Sequence, residues 1–447
     1  MAGVPNETLL HMKGFPFGVN NVAVEGDVPT NANGDPSALR VGENIILSNT
    51  GKVSRRDGQT LRVALTGAHS LYSHKLFPWM AVVSGAFLYG LNNALQQTVL
   101  NSNLVDRYNT MSYDVAAGSL YYSNGRDFGR VSADGVNTPW CTEMPSGQPT
   151  VSVFATGGGL QAGTYQLAIT YLSEDLEESG ATLSTIIDIA EGQGIQLANI
   201  PQPINGLYKI RIYASPANGD VLYMVADLPS GTTNYLLGVH TPGRAIDKQF
   251  LSPLPAGQIV RYHNGRLHVA RGRVHHWSEA MHYGLTKLHE NYVSYNANIT
   301  LMESAGQAEG SGMFIAAGSQ KDGERTYYVS GADPKQWQRS IAYSHGAVPN
   351  SALQVDVDNF GLEAKGILPI WLATNGQLVM GTPGGKVIEL HQENFVGKVD
   401  SETATMAMRD YQGIHQLIAV QRGGQTSGFA ASDTAEAEVW RAGVRIA

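Results

Sequence analysis

A short hairpin recurs along this sequence, and no long helical segment separates its copies. In the clearest copy, 372–390 (LATNGQLVMGTPGGKVIEL), an Asn-Gly turn, an apolar strand, a Gly-rich turn and a second apolar strand follow one another. Asn375-Gly376 is a strong hairpin signal because both residues accept φ > 0. Similar phrases occur at 117–131 and 263–277, and fainter ones at 84–94 and 322–337. Such repetition of small antiparallel sheets predicts a β-propeller.

The composition also favours many short strands over helices. Glycine occurs 51 times in 447 residues, well above the average of about 7%. There are 20 tyrosines, and only 15% of the residues are charged. Hydrophobic residues make up 43%, enough to bury a sizeable core. We therefore predict an all-β protein whose propeller has about five to seven small antiparallel blades.

A different strand pattern begins after the composition changes at 144–149. Residues 163–172 (GTYQLAITYL) form a longer alternating run than any blade strand. About seven strands in about 100 residues, with turn signals between them, are typical of a β-sandwich. This segment looks like a fibronectin type III or immunoglobulin-like domain inserted between two blades.

These patterns divide the chain into four segments. We predict an N-terminal arm and hairpin at 1–60, the first part of the propeller at 61–148, the inserted sandwich at 149–255 and the second part of the propeller at 256–447. The strand–turn–strand pattern at 438–446 is expected to pair with the N-terminal hairpin and close the ring, which removes exposed strand edges. A short helix is plausible only at 397–412.

Charge and cysteine content exclude several kinds of partner and site. The formal net charge of −8 argues against a protein that grips nucleic acid by neutralising its phosphates. The single cysteine, Cys141, excludes an internal disulfide and a cysteine-based zinc site. The first ten residues lack the pattern of a signal peptide, and no long apolar run predicts a membrane span. We expect synthesis in the cytoplasm and no membrane segment.

Two loops superficially resemble ligand sites. At 381–387 (GTPGGKV) the spacing is one residue short of a phosphate loop, Val387 replaces the required hydroxyl residue, and a strand follows instead of a helix. We interpret this loop as a blade turn. Residues 356–361 resemble the start of a calcium loop, but Phe360 and Ile367 occupy two of the ligand positions. Neither loop is predicted to bind a ligand.

Histidines and carboxylates are concentrated in two stretches, but their spacing predicts no metal site. Six of the 13 histidines are His263, His268, His275, His276, His282 and His289. Adjacent residues of a strand point to opposite faces, so His275 and His276 cannot chelate one ion together. We interpret these histidines as polar residues on a half-solvated sheet. The acidic group of Glu174, Asp175, Glu177 and Glu178 is interpreted as a solvated hairpin tip.

No pattern in the sequence marks a catalytic residue. Glycoside hydrolysis requires two carboxylates about 5–10 Å apart. The candidate aspartates are scattered over the blades without a motif: Asp106, Asp114, Asp127, Asp322 and Asp333. A G-x-S-x-G nucleophile motif does not occur. We therefore predict a protein that is not an enzyme, with no catalytic, cofactor-binding or metal-binding residues.

Short phrases at both ends of the chain resemble a known family. They are GVNNVA at 18–23, LRVGEN at 39–44 and GKVSRRDG at 51–58, together with WRAGVRI at 440–446 and the blade at 375–390. Through these phrases the chain resembles the tail hub or nozzle proteins of short-tailed bacteriophages, also called packaged-DNA stabilisation proteins.

The resemblance implies a structural component of the virion tail. Six copies would form a ring or tube below the portal and adaptor, retain the packaged DNA and conduct it during ejection without sequence-specific binding. The acidic balance of the chain fits a lumen that does not hold phosphates. The family has no catalytic residues to transfer.

Two other classes of function remain open. A phage tail-associated propeller module that binds carbohydrate or a receptor would use Tyr and Trp platforms. Exposure of Trp277, Trp337 or Trp371 around one pocket would favour that class. A propeller glycosidase would need an acidic cluster at the central channel with a raised carboxyl pKa.

Overall fold

The computed structural model describes residues 60–306, 312–318, 323–358, 365–390, 402–411, 414–422 and 437–438, and before residue 60 only 15, 19–23, 27, 30, 32, 37–39, 45–47 and 51–55. The chain divides into two compact units, Leu65–Tyr295 and Met1–Ala64 with Asn296–Ala447. In the second unit, β1 (Ile45–Leu47) and β2 (Val53–Arg55) form the hairpin predicted near the N-terminus.

The unit Leu65–Tyr295 begins with two four-stranded antiparallel meanders of the kind that forms propeller blades. The first consists of β3 (His69–Tyr72), β4 (Trp79–Ser84), β5 (Phe87–Asn92) and β6 (Gln97–Asn101), and the second of β7 (Ser112–Ala116), β8 (Ser119–Ser123), β9 (Phe128–Val131) and β10 (Asn137–Thr138). Ala117 and Gly118 both have positive φ, at 46° and 76°, as a tight turn between twisted strands requires.

Both faces of β8 are buried. Leu120 and Tyr122 pack with the side chains of the β3–β6 blade, including Val83 and Leu88. Tyr121, which points the other way, packs in a separate apolar cluster with Val260 and other residues of the next blade. Alternation in β8 therefore separates two cores, because this strand is covered by a neighbouring blade on either face.

Seven strands between these blades and the next form a β-sandwich. They are β11 (Thr150–Phe154), β12 (Gly163–Leu172), β13 (Thr185–Ile189), β14 (Gly194–Ala198), β15 (Lys209–Ala214), β16 (Tyr223–Pro229) and β17 (Tyr235–Leu237). One sheet has the order β11-β14-β17 and the other β13-β12-β15-β16. Buried aliphatic and aromatic side chains of the two sheets, such as Ile169, Ile195 and Ile212, share one core.

The same unit ends with a third four-stranded blade. A small ladder of β18 (Ser252–Pro253) and β22 (Leu285–Thr286) flanks the blade of β19 (Ile259–His263), β20 (Arg266–Arg271), β21 (Val274–Trp277) and β23 (Tyr292–Ser294). Asn264 and Gly265 have φ of 46° and 73°, so both residues of this Asn-Gly turn are left-handed. The carboxylate of Asp114 on β7 accepts the Tyr262 N–H at 2.7 Å and fixes β19 beside the preceding blade.

The second unit contains two more blades and a longer hairpin. The blades are β24 (Ile299–Ser304), β25 (Met313–Ala317), β26 (Arg325–Ser330) and β27 (Gln338–Tyr343), followed by β28 (Leu353–Asp356), β29 (Ile367–Leu372), β30 (Leu378–Gly381) and β31 (Val387–Glu389). A 3-10 turn, Pro334–Gln336, precedes β27. In the Asn375-Gly376 turn only Gly376 has positive φ (86°), unlike the turn predicted.

The helix considered for 397–412 is wrong, because β32 (Thr403–Tyr411) pairs along its whole length with β33 (Ile414–Arg422). Ala404 and Met406 are buried while Thr405 and Ala407 are exposed, which is the period of a strand. The last described strand, β34 (Ala437–Glu438), pairs with β33. Most of the 438–446 segment that was predicted to close the ring lies outside the described residues.

These sheets confirm the predicted fold class: an all-β chain of small antiparallel propeller blades with an inserted β-sandwich. The described residues contain five four-stranded blades, three in one compact unit and two in the other. The sandwich belongs to the same unit as the blades on either side of it in sequence. Charged side chains join the sandwich to the β7–β10 blade.

Candidate functional site

An ion pair joins the inserted sandwich to the β7–β10 blade. Arg130 Nη2 on β9 lies 2.5 Å from Glu177 Oε2 in the loop that follows β12. Arg130 Nε also donates to Thr138 Oγ1 at 3.0 Å, and Thr142 Oγ1 donates to the Glu177 carbonyl at 2.9 Å. The blade therefore holds both the side chain and the backbone of one sandwich residue.

A second carboxylate of the same loop points into the sandwich. Glu178 is only 8% exposed, and its Oε1 accepts hydrogen bonds from Thr170 Oγ1 and Tyr213 OH, both at 2.6 Å. Its Oε2 lies 3.3 Å from Arg211 Nη1, and Arg211 also forms a bidentate pair with Asp227 at 2.7 and 2.8 Å. A buried carboxylate needs such partners to stay charged.

The interpretation of this acidic loop as a solvated tip is therefore wrong for two of its four carboxylates. Glu174 and Asp175 are exposed, but Glu177 and Glu178 are bound to arginines that lie distant in sequence. Ser173 bends the chain back, since its hydroxyl accepts the Glu177 N–H at 3.0 Å. Arg130 and Arg211 were not singled out from the sequence, although each interrupts a strand of mostly apolar residues.

A cavity of about 120 Å³ lies at this junction. Its walls come from the blade, from the linker into the sandwich and from two sandwich loops: Arg130, Thr138, Cys141, Thr142, Glu177 and Tyr208 are among the lining residues. Aliphatic side chains next to lining residues point into solvent. Leu176 is 75% exposed with φ of 62°, and Ile204 is 94% exposed. Ile204 is held in place because its N–H donates to Glu143 Oε1 at 2.5 Å.

Polar contacts also hold the segment through which the chain leaves the sandwich. The Ala181 N–H donates to the Lys248 carbonyl at 3.2 Å, so the exit segment is bonded to the segment before β13. Lys248 is buried, with Nζ 2.9 Å from His282 Nε2 and 3.4 Å from Asp247 Oδ2. Burial, and then the charge of Lys248, lower the pKa of His282. The sandwich is thus bound to blade segments at both its entry and its exit.

Cys141 lies in the wall of this cavity and is buried. Burial, followed by the negative charge of Glu177, raises the pKa of its thiol to about 12. A thiol with such a pKa is not a nucleophile at neutral pH, because the thiolate is the reactive species.

The histidines differ from the prediction of a half-solvated sheet. His263, His268 and His275 are completely buried, whereas His276 is half-buried on the opposite face of β21. His268 Nδ1 lies 2.9 Å from His275 Nε2. Burial is the main cause that lowers the pKa of His268 and His275, the latter to about 3. These three histidines are buried, so a polar residue in the strand pattern did not indicate solvent.

The candidate aspartates among the described residues accept hydrogen bonds from backbone N–H groups. Asp127 accepts the N–H groups of Val105 and Asp106, both at 2.8 Å, and Asp106 in turn caps Tyr108 and Asn109. These last two hydrogen bonds are the main cause that lowers the pKa of Asp106. Asp333 caps the 3-10 turn before β27, and Asp322 lies outside the described residues.

The loop 381–387 is the blade turn that the sequence predicted, and the other loop that resembles a ligand site is described only in part. In 381–387 the Thr382 N–H donates to the Lys386 carbonyl at 2.9 Å, between β30 and β31. Gly385 is at φ of 88°, and a side chain there would lie 2.7 Å from the Tyr328 ring. In the second loop, Asp358 Oδ1 accepts the Gly366 N–H at 2.6 Å. Residues 359–364 of that loop lie outside the described part.

The tryptophans named for glycan binding do not form a platform together. Trp277 and Trp371 are buried in blade cores, and Trp337 is half-buried with its Nε1–H donated to the Gly331 carbonyl. Among the described residues, no three His, Cys, Asp or Glu side chains are grouped so that they could hold a metal ion. No helix of the described chain is both long and apolar enough to cross a membrane.

Comparisons with known proteins add little to this picture. No family model matches the chain, and no curated protein matches it. Among solved structures, the chain is similar to the crystal structure of BBS1N in complex with ARL6DN, soaked with lead. The identity is 12%, the match covers 81% of this chain and 90% of that one, and the TM-score is 0.30.

Proposed function

We propose that this chain is a structural subunit of a phage virion: a tail nozzle or hub protein, not an enzyme, that forms a homohexameric ring or tube below the portal and adaptor. In this role it retains packaged DNA and conducts it during ejection. The resemblance of its terminal phrases motivates the proposal. The observation that carries it is the pair of polar contacts, Arg130–Glu177 and Lys248–His282, that join the inserted sandwich to its blades.

A subunit that bears load in a tube needs its modules fixed in relative orientation. Ordinary interfaces between domains of one chain permit relative motion unless they are large or strongly held. Arg130–Glu177 at the entry and Lys248–His282 at the exit hold the sandwich at two points. This arrangement supports a rigid subunit rather than a mobile recognition arm.

One edge of the sandwich offers a surface for contact between subunits. β11 and β13 are edge strands of their sheets, so their outer backbone groups are unpaired within the sandwich. Ile186 on β13 is 66% exposed, and Leu183 and Val153 are exposed as well. Exposed aliphatic edge strands tend to associate with other chains. We assign this edge to contact between copies in the ring.

The net charge supports passage of DNA rather than its capture. At −8 the chain as a whole repels phosphates, and a lumen lined by such subunits would let DNA slide. Phage DNA is accordingly a partner without sequence-specific contacts. A receptor- or carbohydrate-binding tail module remains the second candidate and is one outcome of the test below.

The test is immunogold electron microscopy of virions from the source with antibody against this chain. Label on the tail axis beneath the head supports the nozzle role. Label on peripheral fibres would transfer the function to receptor binding, and absence of label from all particles would refute the virion assignment.

Oligomer formation is tested separately by native mass spectrometry of the purified chain. Ile186→Glu places a charge on the proposed contact edge and should shift hexamer to monomer. Leu236→Glu, at an exposed aliphatic on the opposite edge strand β17, is the matched control and should leave the hexamer intact. A hexamer that survives Ile186→Glu would exclude this edge as the interface.

A further inference from the structure

Three histidines share one buried face of the β19–β23 blade. His263, His268 and His275 come from adjacent strands, and each is 0% exposed. The ring centroids of His263 and His268 are 6.0 Å apart, and those of His268 and His275 are 5.1 Å apart. The hydrogen bond between His268 and His275 requires that at least one of the two nitrogens lacks a proton.

The charged groups that act on His268 and His275 disfavour a proton on either ring. His268 is influenced by His275, His263 and Arg266, and His275 by His276 and His263. Arg266 is bound to the Ser278 carbonyl at 2.8 Å and lies 3.8 Å from Glu279. On the other strands, Arg261 donates to Ser112 and Tyr113, Arg271 acts on His276, and Asp114 of β7 is bound to backbone N–H groups.

His282, in the loop after β21, extends this pattern to the exit of the sandwich. It is exposed, but its Nε2 lies 2.9 Å from the buried ammonium of Lys248. A protonated imidazole cannot accept a hydrogen bond from an ammonium and instead repels it. Asp247, Glu279 and Glu177 act in the opposite direction on His282 but do not outweigh burial and Lys248.

We propose that this blade is an acid-sensitive latch: proton uptake by its buried histidines and by His282 opens β19–β21 and releases the end of the exit segment, 247–255, while the inserted sandwich stays folded. Residues 243–246 stay with the sandwich, because their backbone is hydrogen bonded to Leu222 and Met224. The sandwich supplies its own reference, because its strands β11–β17 contain no histidine. Acid therefore acts on the blade and on the fastening, but not on the core of the module that they hold.

The sign of the pH effect follows from the lowered pKa values of His268, His275, His276 and His282, for which burial is the first cause. In the opened chain these histidines take up protons at the ordinary histidine pKa of about 6.5, whereas in the folded blade they do not. Stability is fully present above that pH and is lost as the pH falls. At pH 5.5, about one unit below that ordinary pKa, His268 and His275 each raise the opening constant about tenfold, and together about a hundredfold.

The experiment is hydrogen–deuterium exchange of the full chain at pH 7.5 and 5.5, corrected for the intrinsic pH dependence of exchange. We expect peptides of β19–β21 and 247–255 to lose protection by about a hundredfold or more at pH 5.5. Peptides of β12 and β15 should not change. Equal loss in the sandwich, or no loss in the blade, would overturn the proposal.

Variants separate the two parts of the latch. His275→Asn should reduce the pH dependence of blade opening about tenfold per pH unit, since one titrating group is removed. His282→Gln, at an exposed position, should abolish the acid response of 247–255 alone. His289→Gln, at another exposed histidine, is the control. If His275→Asn does not fold, the wild-type exchange profile and the His282→Gln variant still test the proposal. An unchanged acid response in His282→Gln would contradict the role of the Lys248 contact.

Discussion

Removal of the Glu178 carboxylate should open the sandwich selectively. Glu178→Ala leaves the hydroxyls of Thr170 and Tyr213 without the acceptor that each now meets at 2.6 Å. It also removes one of the two carboxylates that neutralise Arg211, whose side chain is 17% exposed. The hydroxyls cannot turn to water, because Thr170 and Tyr213 are both buried in the sandwich.

The magnitude follows from these contacts. Removing one partner from a buried ionic group costs about 3–5 kcal/mol. Arg211 keeps its bidentate pair with Asp227, which places the expected loss toward the lower end of that range. Glu178→Gln retains an oxygen acceptor and the shape of the side chain, and should cost about 1–2 kcal/mol. Glu174→Ala, at an exposed position of the same loop, should cost less than about 0.5 kcal/mol.

The assay is native-state hydrogen exchange of the full chain, read in peptides of β12 and β15. It reports local opening and does not require the whole chain to unfold in one step. A loss of about 3 kcal/mol corresponds to a rise in the opening constant of about a hundredfold or more. If Glu178→Ala and Glu174→Ala raised exchange equally, the buried network would not be what holds these two strands.

Three further predictions concern the junction and its blade. Arg130→Ala should raise hydrogen exchange in the loop 173–178, while peptides of β14 stay protected. The free energy of local opening should fall by only about 1 kcal/mol, because both partners of the ion pair are partly exposed. Unchanged exchange in the loop would contradict the role of this ion pair. Gly129→Ala should lower the melting temperature by the equivalent of about 1–3 kcal/mol in calorimetry, because its Cβ would lie 2.5 Å from a Tyr122 hydroxyl that Asn101 and Asn137 hold in place. Gly118→Ala, at a φ of 76° in an exposed turn with no heavy atom within 4 Å of the added Cβ, tests backbone strain without this clash. The thiol of Cys141, whose pKa is raised to about 12, should resist thiol reagents at pH 8 in the folded chain and react fully in denaturant. Rapid labelling of the folded chain would disprove the burial of this thiol.

Turns and strand periods were predicted well from the sequence. The Asn264-Gly265 hairpin, the blade turn at 381–387 and the long strand 163–172 of the sandwich occur where the pattern placed them. These features depend on the φ preferences of a few residues and on alternation along one strand. Such preferences act between near neighbours and remain visible without knowledge of the partner strands.

The pairing of charges was not predictable in the same way. Glu177 and Arg130 are separated by 47 positions, and Glu178 and Arg211 by 33. Nothing in either local phrase selects the partner, because an acidic loop between two strands is normally solvated. Residues 403–411 were likewise considered as a helix, because their own residue types are compatible with one. They form a strand because 414–422 pairs with them.

The sequence by itself determined that this chain would form small antiparallel sheets with a distinct module inserted, because turn residues and the two-residue period act locally. Only the tertiary structure decided which faces are dry and which charges meet. A blade strand is buried by neighbours on both sides, and a histidine such as His268 or a carboxylate such as Glu178 is placed in the core by contacts from distant segments. Burial is a property of the packed whole, and the pattern along one strand does not contain it.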